Sequence, residues 1–403
     1  MPPILATSEI WTFAASLLLL GLAYGILFAV RLYIRRASSP LRTLAGPPAL
    51  GWLSGSIPNG VDEYGATRLH EQWIQKYGRV FRYYASFGTA KMMVADPKAV
   101  AYIISHGATF EKWGPHRARL ITVIGDGLAS VEGSIHKRQR KVLNPAFGPV
   151  QLRKFTVTFL QKSIQLRDIW LSKASQTPRK DGKTQLDAFN WLNKVTLDMI
   201  GLTGFNYSFN ALELPDGQKD ELYEAISTAG SAESGNPLFR TLQLVFPPAR
   251  LIPTAYTRRA KRGLDVVHRI GNRLVSEKKA AVLNETRGKQ SIAKDDIEGH
   301  DLLSLLIKAN MAADMPESMR LSDSEVRDQV PTFLTAGHET TSTTVAWTLT
   351  QALLFTLLRA FEIELAISPD DIIRRTMVVG RPWVEGISTG PQMPILIRPV
   401  QKA

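Results

Sequence analysis

The pattern of hydrophobic positions changes several times along this chain. Ile10 to Val30 (IWTFAASLLLLGLAYGILFAV) holds no charged residue. At about 1.5 Å per residue a helix over that run reaches roughly 31 Å, enough to cross a hydrocarbon core. After Pro48 the apolar residues space out. Ala66 to Tyr77 sets Leu69, Trp73, Ile74 and Tyr77 at helical intervals, and Val80 to Tyr84 and Lys91 to Val94 read as strands. Asp96-Pro97 then caps and starts a helix over Lys98 to Ser105. From Phe147 onward helical spacing dominates, over Gln151 to Ser172, Phe189 to Leu202, Thr257 to Leu283, Asp301 to Asn310 and Ser322 onward. Lys173 to Thr184 and Glu285 to Gly299 are polar connectors, and Arg381 to Val384 and Pro394 to Arg398 are short strands. The pattern predicts a mainly α fold with a minor β-sheet and no internal repeat.

The flanks orient the apolar run. Arg31, Arg35 and Arg36 follow it and only Glu9 closely precedes it, so the positive-inside bias predicts a transmembrane helix with everything after residue 31 in the cytosol. The alternative is a cleaved signal peptide, but the run exceeds a usual apolar core and no basic segment precedes it. Asn206-Tyr-Ser and Asn284-Glu-Thr would then stay unglycosylated. Residues 1–36 form the anchor with its basic flank, 37–60 a proline-rich hinge, and 61–403 one domain. Pro40, Pro47 and Pro48 stiffen the hinge, which reads as a spacer without chemistry of its own. Leu238 to Pro253 is apolar, broken by Pro247 and Pro248 and too short to span; it fits a surface dip into the bilayer or a buried loop equally.

Charge and cysteine content narrow the function. Lys and Arg number 49 against 36 Asp and Glu, a formal net charge of +13. The excess is spread out, with short clusters at Arg31 to Arg36, His136 to Lys141 and Arg258 to Arg262, none interleaved with aromatics in the way a base-stacking surface requires, which argues against nucleic acid as a partner. The chain has no cysteine, which excludes disulfides, thiolate nucleophiles and cysteine-ligated metal sites.

The strongest chemical signal is Ser322 to Thr350. Ser322 with Glu325 three residues on is a capping box, and Val326, Val330, Phe333 and Leu334 define an apolar helical face. Inside the helix comes Ala336-Gly337-His338-Glu339-Thr340-Thr341. Small residues let a flat ligand approach the backbone, and Glu339 with Thr340 can relay protons beside it. This hexapeptide resembles the oxygen-activating helix of the cytochrome P450 superfamily, especially its eukaryotic microsomal, fungal-like members. The resemblance implies that Ala336 and Gly337 lie against haem, that Thr340 hydrogen-bonds the bound oxygen and that Glu339 helps deliver protons. His136 and Arg140, in Gly133 to Phe147, resemble the family pair that clamps the haem propionates; at i,i+4 they share one helix face. Leu44 to Pro48, Thr196 to Gly201 and Gly204 to Tyr207 resemble further landmarks in the family's order.

The sequence departs from the family beyond the long helix. The family's Glu-x-x-Arg helix, its Arg-bearing meander and its cysteine loop are missing there; Glu317 to Arg320 has the first spacing but precedes the helix. Leu353 to Glu362 resembles the second half of the helix that follows the cysteine loop, which places an internal deletion of roughly a hundred residues, the size of a small domain, near 350–353. With no Gly or Pro in Val345 to Leu365, the two halves are expected to run on as one helix from about Ser322 to Glu364. The expected fold is thus an incomplete cytochrome P450-like fold behind a transmembrane helix.

The resemblance implies haem as cofactor, NADPH-cytochrome P450 reductase as electron donor, a lipophilic small molecule such as a secondary metabolite or xenobiotic as substrate, and the endoplasmic reticulum membrane as location. The apolar segments Phe110 to Val123 and Leu238 to Pro253 would line the pocket. Without a cysteine, thiolate ligation of haem iron is excluded; His338 sits on the oxygen side, and no residue is assigned to metal. The expectation is a family member that is inactive as written, the alternative being a membrane-tethered remnant or scaffold.

Overall fold

The computed structural model describes residues 7–51, 55–58, 63–85, 88–176, 178–215, 217–230, 252, 254–285, 301–312, 315–339, 355–376, 380–387 and 391–400. They form two compact units, residues 1–110 and 111–403.

The first unit opens with helix α1 (Thr7–Ala37). Within its uncharged run the side chains of Ile10, Phe13, Ala14, Leu17 and Leu18 lie outside the described residues. Among the described residues no helix is long and apolar enough to cross a membrane, so the predicted span is not carried by them. Leu19, Leu20, Leu22, Ile26 and Leu27 are exposed. Helix α2 (Glu63–Tyr77), the antiparallel pair β1 (Val80–Tyr84) and β2 (Ala90–Val94), and α3 (Pro97–Ser105) follow as the spacing predicts. Asp96 caps α3, its Oδ1 accepting from Ala99 N at 2.9 Å.

The hinge does more than space. Arg82 N of β1 donates to Ala45 O at 3.0 Å, and a Cβ on Gly46 would fall 1.9 Å from Arg82 O. Leu44 to Pro48 is therefore seated on the strand, and only glycine fits that approach.

The second unit is mainly helical: α4 (Gly114–Ile124), α5 (Gly133–Leu143), α6 (Pro149–Gln176), α7 (Ala188–Phe205), α8 (Glu221–Gly230), α9 (Ala255–Glu285), α10 (Leu302–Met311) and α11 (Asp323–Glu339). Helix α10 is apolar nearly all round, as a helix buried on every side must be. Leu303, Leu306 and Ile307 enter a cluster with Phe205 of α7, Val267 of α9 and Val330 of α11. Leu302 and Leu305 enter a second cluster with Trp170 of α6 and Val195 of α7. Two polar ties fix its ends. Asp301 caps it through Ser304 N (2.9 Å) and pairs with Lys278 of α9 (2.7 Å). Asn310 exchanges two hydrogen bonds with the Leu321 backbone, at 2.6 and 2.9 Å.

The C-terminal part corrects the sequence reading. Residues 355–358 are helical, but Phe361–Leu365 is strand β4, so no helix runs on to Glu364. Strand β7 (Pro394–Pro399) lies between β4 and a short strand the spacing missed, β3 (Thr184–Asp187), in an antiparallel sheet. Ile363 and Thr184 both face Ile397 in register. Pairing to β7 satisfies the backbone of 361–365 and buries Phe361 against Trp170 (ring centroids 5.8 Å), which outweighs local helix propensity. A separate hairpin joins β5 (Ile372–Thr376) to β6 (Gly380–Val384). Leu238 to Pro253, apart from Ile252, and the seam at 350–353 lie outside the described residues.

Truncating the buried Phe361 to alanine is expected to cost about 3–5 kcal/mol, read as a fall in the urea midpoint, whereas Glu362→Ala on the exposed side of β4 should leave it nearly unchanged.

Candidate active site and family membership

The site grows from the start of α11. The capping box forms as predicted: Ser322 N donates to Glu325 Oε2 at 2.9 Å, and Glu325 N donates to Ser322 Oγ at 3.2 Å. Glu325 also pairs with Arg138 of α5. One turn on, Gln329 is fully buried and fully used. Its Nε2 donates to Gln139 Oε1 of α5 (3.1 Å) and to Glu325 O (3.0 Å), and its Oε1 accepts from Leu128 N (3.0 Å). Gln139 Nε2 in turn donates to Asp126 O at 3.0 Å. Asp328 accepts from Asp126 N (2.9 Å) and from Arg327 Nε (2.8 Å).

The loop 125–131 reaches these side chains because two glycines let it. Gly125 has φ +68°, and a Cβ there would lie 2.7 Å from the Asp328 carboxylate. A Cβ on Gly127 would lie 2.0 Å from Thr332 Oγ1 and 2.4 Å from Asp328 O. Loop, α5 and α11 are thus tied by a buried polar belt in which the amides of Gln139 and Gln329 find partners, while Arg138 Nε at its edge is buried without a hydrogen bond among the described residues; matched buried amides of this kind specify one arrangement. Sequence reasoning missed it. Its one visible signal was Asp328-Gln329 standing between the core residues Val326 and Val330.

On α5 the belt leaves His136 half-buried and Arg140 exposed, one helical turn apart. Burial lowers the His136 pKa, the charges of Lys112 and Arg140 lower it further, and Glu132 opposes them. Lys112 is held by Glu132, whose Oε1 accepts from Lys112 N at 2.7 Å, and Arg117 Nε donates to Ser130 O at 3.1 Å. Neither cation was singled out from the sequence. With Arg140 they make this end of the site rich in donors suited to carboxylates, and His136, held toward its neutral form, adds an imidazole N–H rather than a charge.

Ala336, Gly337 and Glu339 lie in the last turn of α11, with side chains outside the described residues; Thr340 lies outside them altogether. From Gln329 to Glu339 the helix advances about 15 Å, so the belt fixes the helix that carries these positions. The landmark from Thr196 to Tyr207 is structural: Asp198 accepts from Ala211 N at 2.7 Å, and a Cβ on Gly201 would strike the Phe209 ring at 2.5 Å.

Among the described residues no group of three or more His, Cys, Asp or Glu could hold a metal ion. Arg140, Lys112 and His136 are hydrogen-bond donors of the kind that suit carboxylates such as haem propionates, whereas none of the 403 residues is a cysteine that could offer iron a thiolate.

A mainly helical body in which α11 docks on the basic helix α5 through Glu325 and Gln329 fits the helical class that the motifs imply. The family model for cytochrome P450 matches residues 45–359, and the chain belongs to the cytochrome P450 family. It is 42% identical over 348 residues to cytochrome P450 monooxygenase 205 of Postia placenta, covering 85% of this chain and 61% of that protein. Monooxygenase 128 of the same fungus is 37% identical over 372 residues, 91% of this chain and 65% of the relative. Cytochrome P450 monooxygenase claP of Ampulloclitocybe clavipes is 30% identical over 323 residues, 79% and 56% respectively. The chain thus spans about three fifths of the length of these curated relatives.

Gly127→Ala is expected to lower stability by at least about 2 kcal/mol, since backbone and a buried hydroxyl must both shift; thermal unfolding would measure it. For Glu325, burial raises the pKa, but the Ser322 N–H, the Arg138 charge and Gln139 outweigh it and the net shift is downward. Its contribution is present above the ordinary glutamate range, near about pH 4.3, and is lost as pH falls through the lower folded value. Urea midpoints followed from neutral to acid pH should therefore fall less steeply in Glu325→Gln than in the parent, from a lower neutral value.

Proposed function

We propose that this chain is a membrane-tethered cytochrome P450 that keeps the oxygen-side helix and the carboxylate clamp but forms no haem-thiolate centre, and so performs no monooxygenation by itself. The absence of cysteine carries this reading. A thiolate pushes electron density toward the iron in a way that favours O–O cleavage, and no other side chain does the same. The shortfall in length against the relatives supports an internal deletion near 350–353.

With the missing block restored, the protein would oxidise a lipophilic small molecule using electrons from NADPH-cytochrome P450 reductase, as its likeness to fungal monooxygenases supports. His136 and Arg140 would hold the haem propionates, Ala336 and Gly337 would let the macrocycle approach α11, and Glu339 and Thr340 would hold and pass protons. The exposed apolar residues of α1 and the basic residues that follow them support single-pass anchoring in the endoplasmic reticulum membrane with the body in the cytosol. The alternative, a remnant that acts only as a membrane-tethered scaffold, shares the anchor and the missing ligand.

Expression of the full chain with haem precursor should give no carbon monoxide difference band of the thiolate-ligated type. Insertion of the corresponding cysteine-bearing block of monooxygenase 205 near 350–353 should restore that band. A thiolate-type band, or substrate hydroxylation, from the unmodified polypeptide at confirmed mass would overturn the proposal.

A further inference from the structure

The end of helix α1 carries a charge pattern that membrane anchoring does not require. Arg35-Arg36-Ala37-Ser38 places arginine three and two residues before a serine, and no acidic residue lies between Arg31 and Arg42. Protein kinases choose among hydroxyl groups by such patterns. Ser38 is exposed and directly follows the last residue of α1; its N and Oγ both donate to Ile34 O, at 2.8 and 2.7 Å. The chain leaves the helix there, Ser39 being extended ahead of Pro40, and a helix end unwinds at little cost. The other hydroxyl with basic residues at both positions is Thr156, after Arg153 and Lys154. It sits inside the 28-residue α6 between Phe155 and Phe159 of the second core cluster, where unwinding would strip the core.

We propose that Ser38 is the phosphorylation site of a serine kinase that reads basic residues, and that the phosphate loosens the end of α1 from β1. In the step, Ser38 Oγ attacks the γ-phosphorus of ATP and forms the new P–O bond. The bond from that phosphorus to the β,γ-bridging oxygen breaks, ADP leaves, and the hydroxyl proton passes to the kinase's catalytic carboxylate. Arg42 Nη1 donates to Ala37 O at 2.8 Å while Arg42 O accepts from Arg82 Nη1 of β1 at 2.9 Å, so one residue ties the helix end to the strand. A phosphate removes the Oγ donor from Ile34 O and sets negative charge at the negative end of the helix dipole. It also offers Arg42 a stronger acceptor than a carbonyl. From Val30 to Ser38 a helix advances about 12 Å, beyond the roughly 5–8 Å of head-group region on one side of a bilayer. Access to ATP rests on the reading, proposed above, that residues after 31 face the cytosol.

The full-length protein in detergent is treated with the catalytic subunit of cyclic-AMP-dependent protein kinase, magnesium and ATP. Peptide mapping by mass spectrometry is expected to place a single phosphate, at Ser38, and Ser38→Ala should take up none. Joint Arg35→Ala and Arg36→Ala substitution should slow the labelling at least about tenfold, the loss of charge-assisted contacts to the kinase. Amide hydrogen exchange over residues 34–44 should speed up when the parent is phosphorylated and, without phosphate, in Arg42→Ala. Phosphate on Thr156 with Ser38 unmodified would sink the proposal. Undiminished labelling of Ser38 without the two arginines, or exchange that the phosphate leaves unchanged, would do the same. Sealed microsomes carrying the chain separate this proposal from the anchoring it rests on. Label at Ser38 without detergent supports both, whereas label that needs detergent overturns the cytosolic placement and not the recognition of the segment.

Discussion

The structure of the candidate site depends on two buried glutamines. Gln139 and Gln329 have no exposed surface and sit 190 residues apart in sequence, yet their amides are joined at 3.1 Å. A buried amide left without partners costs on the order of 1–3 kcal/mol, and these two find theirs in one another, in the loop 125–131 and in the α11 backbone. A slip of α11 by one residue would turn Gln329 away from all of them by about 100°. The polar belt therefore sets the register between α5, which carries His136 and Arg140, and α11, which carries Ala336, Gly337 and Glu339. Apolar packing behind it, through Val326, Val330 and α10, supplies bulk stability without fixing that register.

The same physics explains how a chain with an inferred internal gap keeps an organised body. Helix α10 joins the two clusters, and β7 returns from the C-terminus to lie between β3 and β4. Ile395 and Ile397 of β7 and Phe361 of β4 are buried with Trp170 and Val195. The residues that follow the proposed deletion thus cover one side of the α6–α7 core. The proposed missing block would carry the cysteine side of the site, whereas the belt, His136, Arg140 and α11 as far as Glu339 draw only on residues before it.

Local devices were legible in the sequence because they are written within a few residues. The Asp96 cap, the Ser322–Glu325 box, and the strands at Val80 to Tyr84 and Pro394 to Arg398 need no distant partner to be read. Strand β4 was misread as helix because Phe361-Glu-Ile-Glu-Leu contains no breaker, and its state is decided by β7 some thirty residues on. Strand β3, Thr-Gln-Leu-Asp, is too short and polar to show a period. The hinge looked inert because the fit of Gly46 on Arg82 is a tertiary contact. His136 and Arg140 were singled out by resemblance to the family's propionate pair, their i,i+4 spacing showing only that they share a helix face, and Lys112 comes near them only through the fold. Ala336, Gly337 and Glu339 are placed on α11 by their helical continuity with the belt.

Because the belt uses only side chains of this chain, it should hold α5 and α11 together whether or not haem is present. Spin labels on Lys137→Cys and Ser324→Cys, both exposed, allow that separation to be measured by pulsed electron resonance in the full chain. A single narrow distance distribution in haem-free protein, unmoved by haemin and broadened by Gln329→Leu, is the predicted result. A broad distribution in the parent, or one that narrows only when haemin is added, would contradict it.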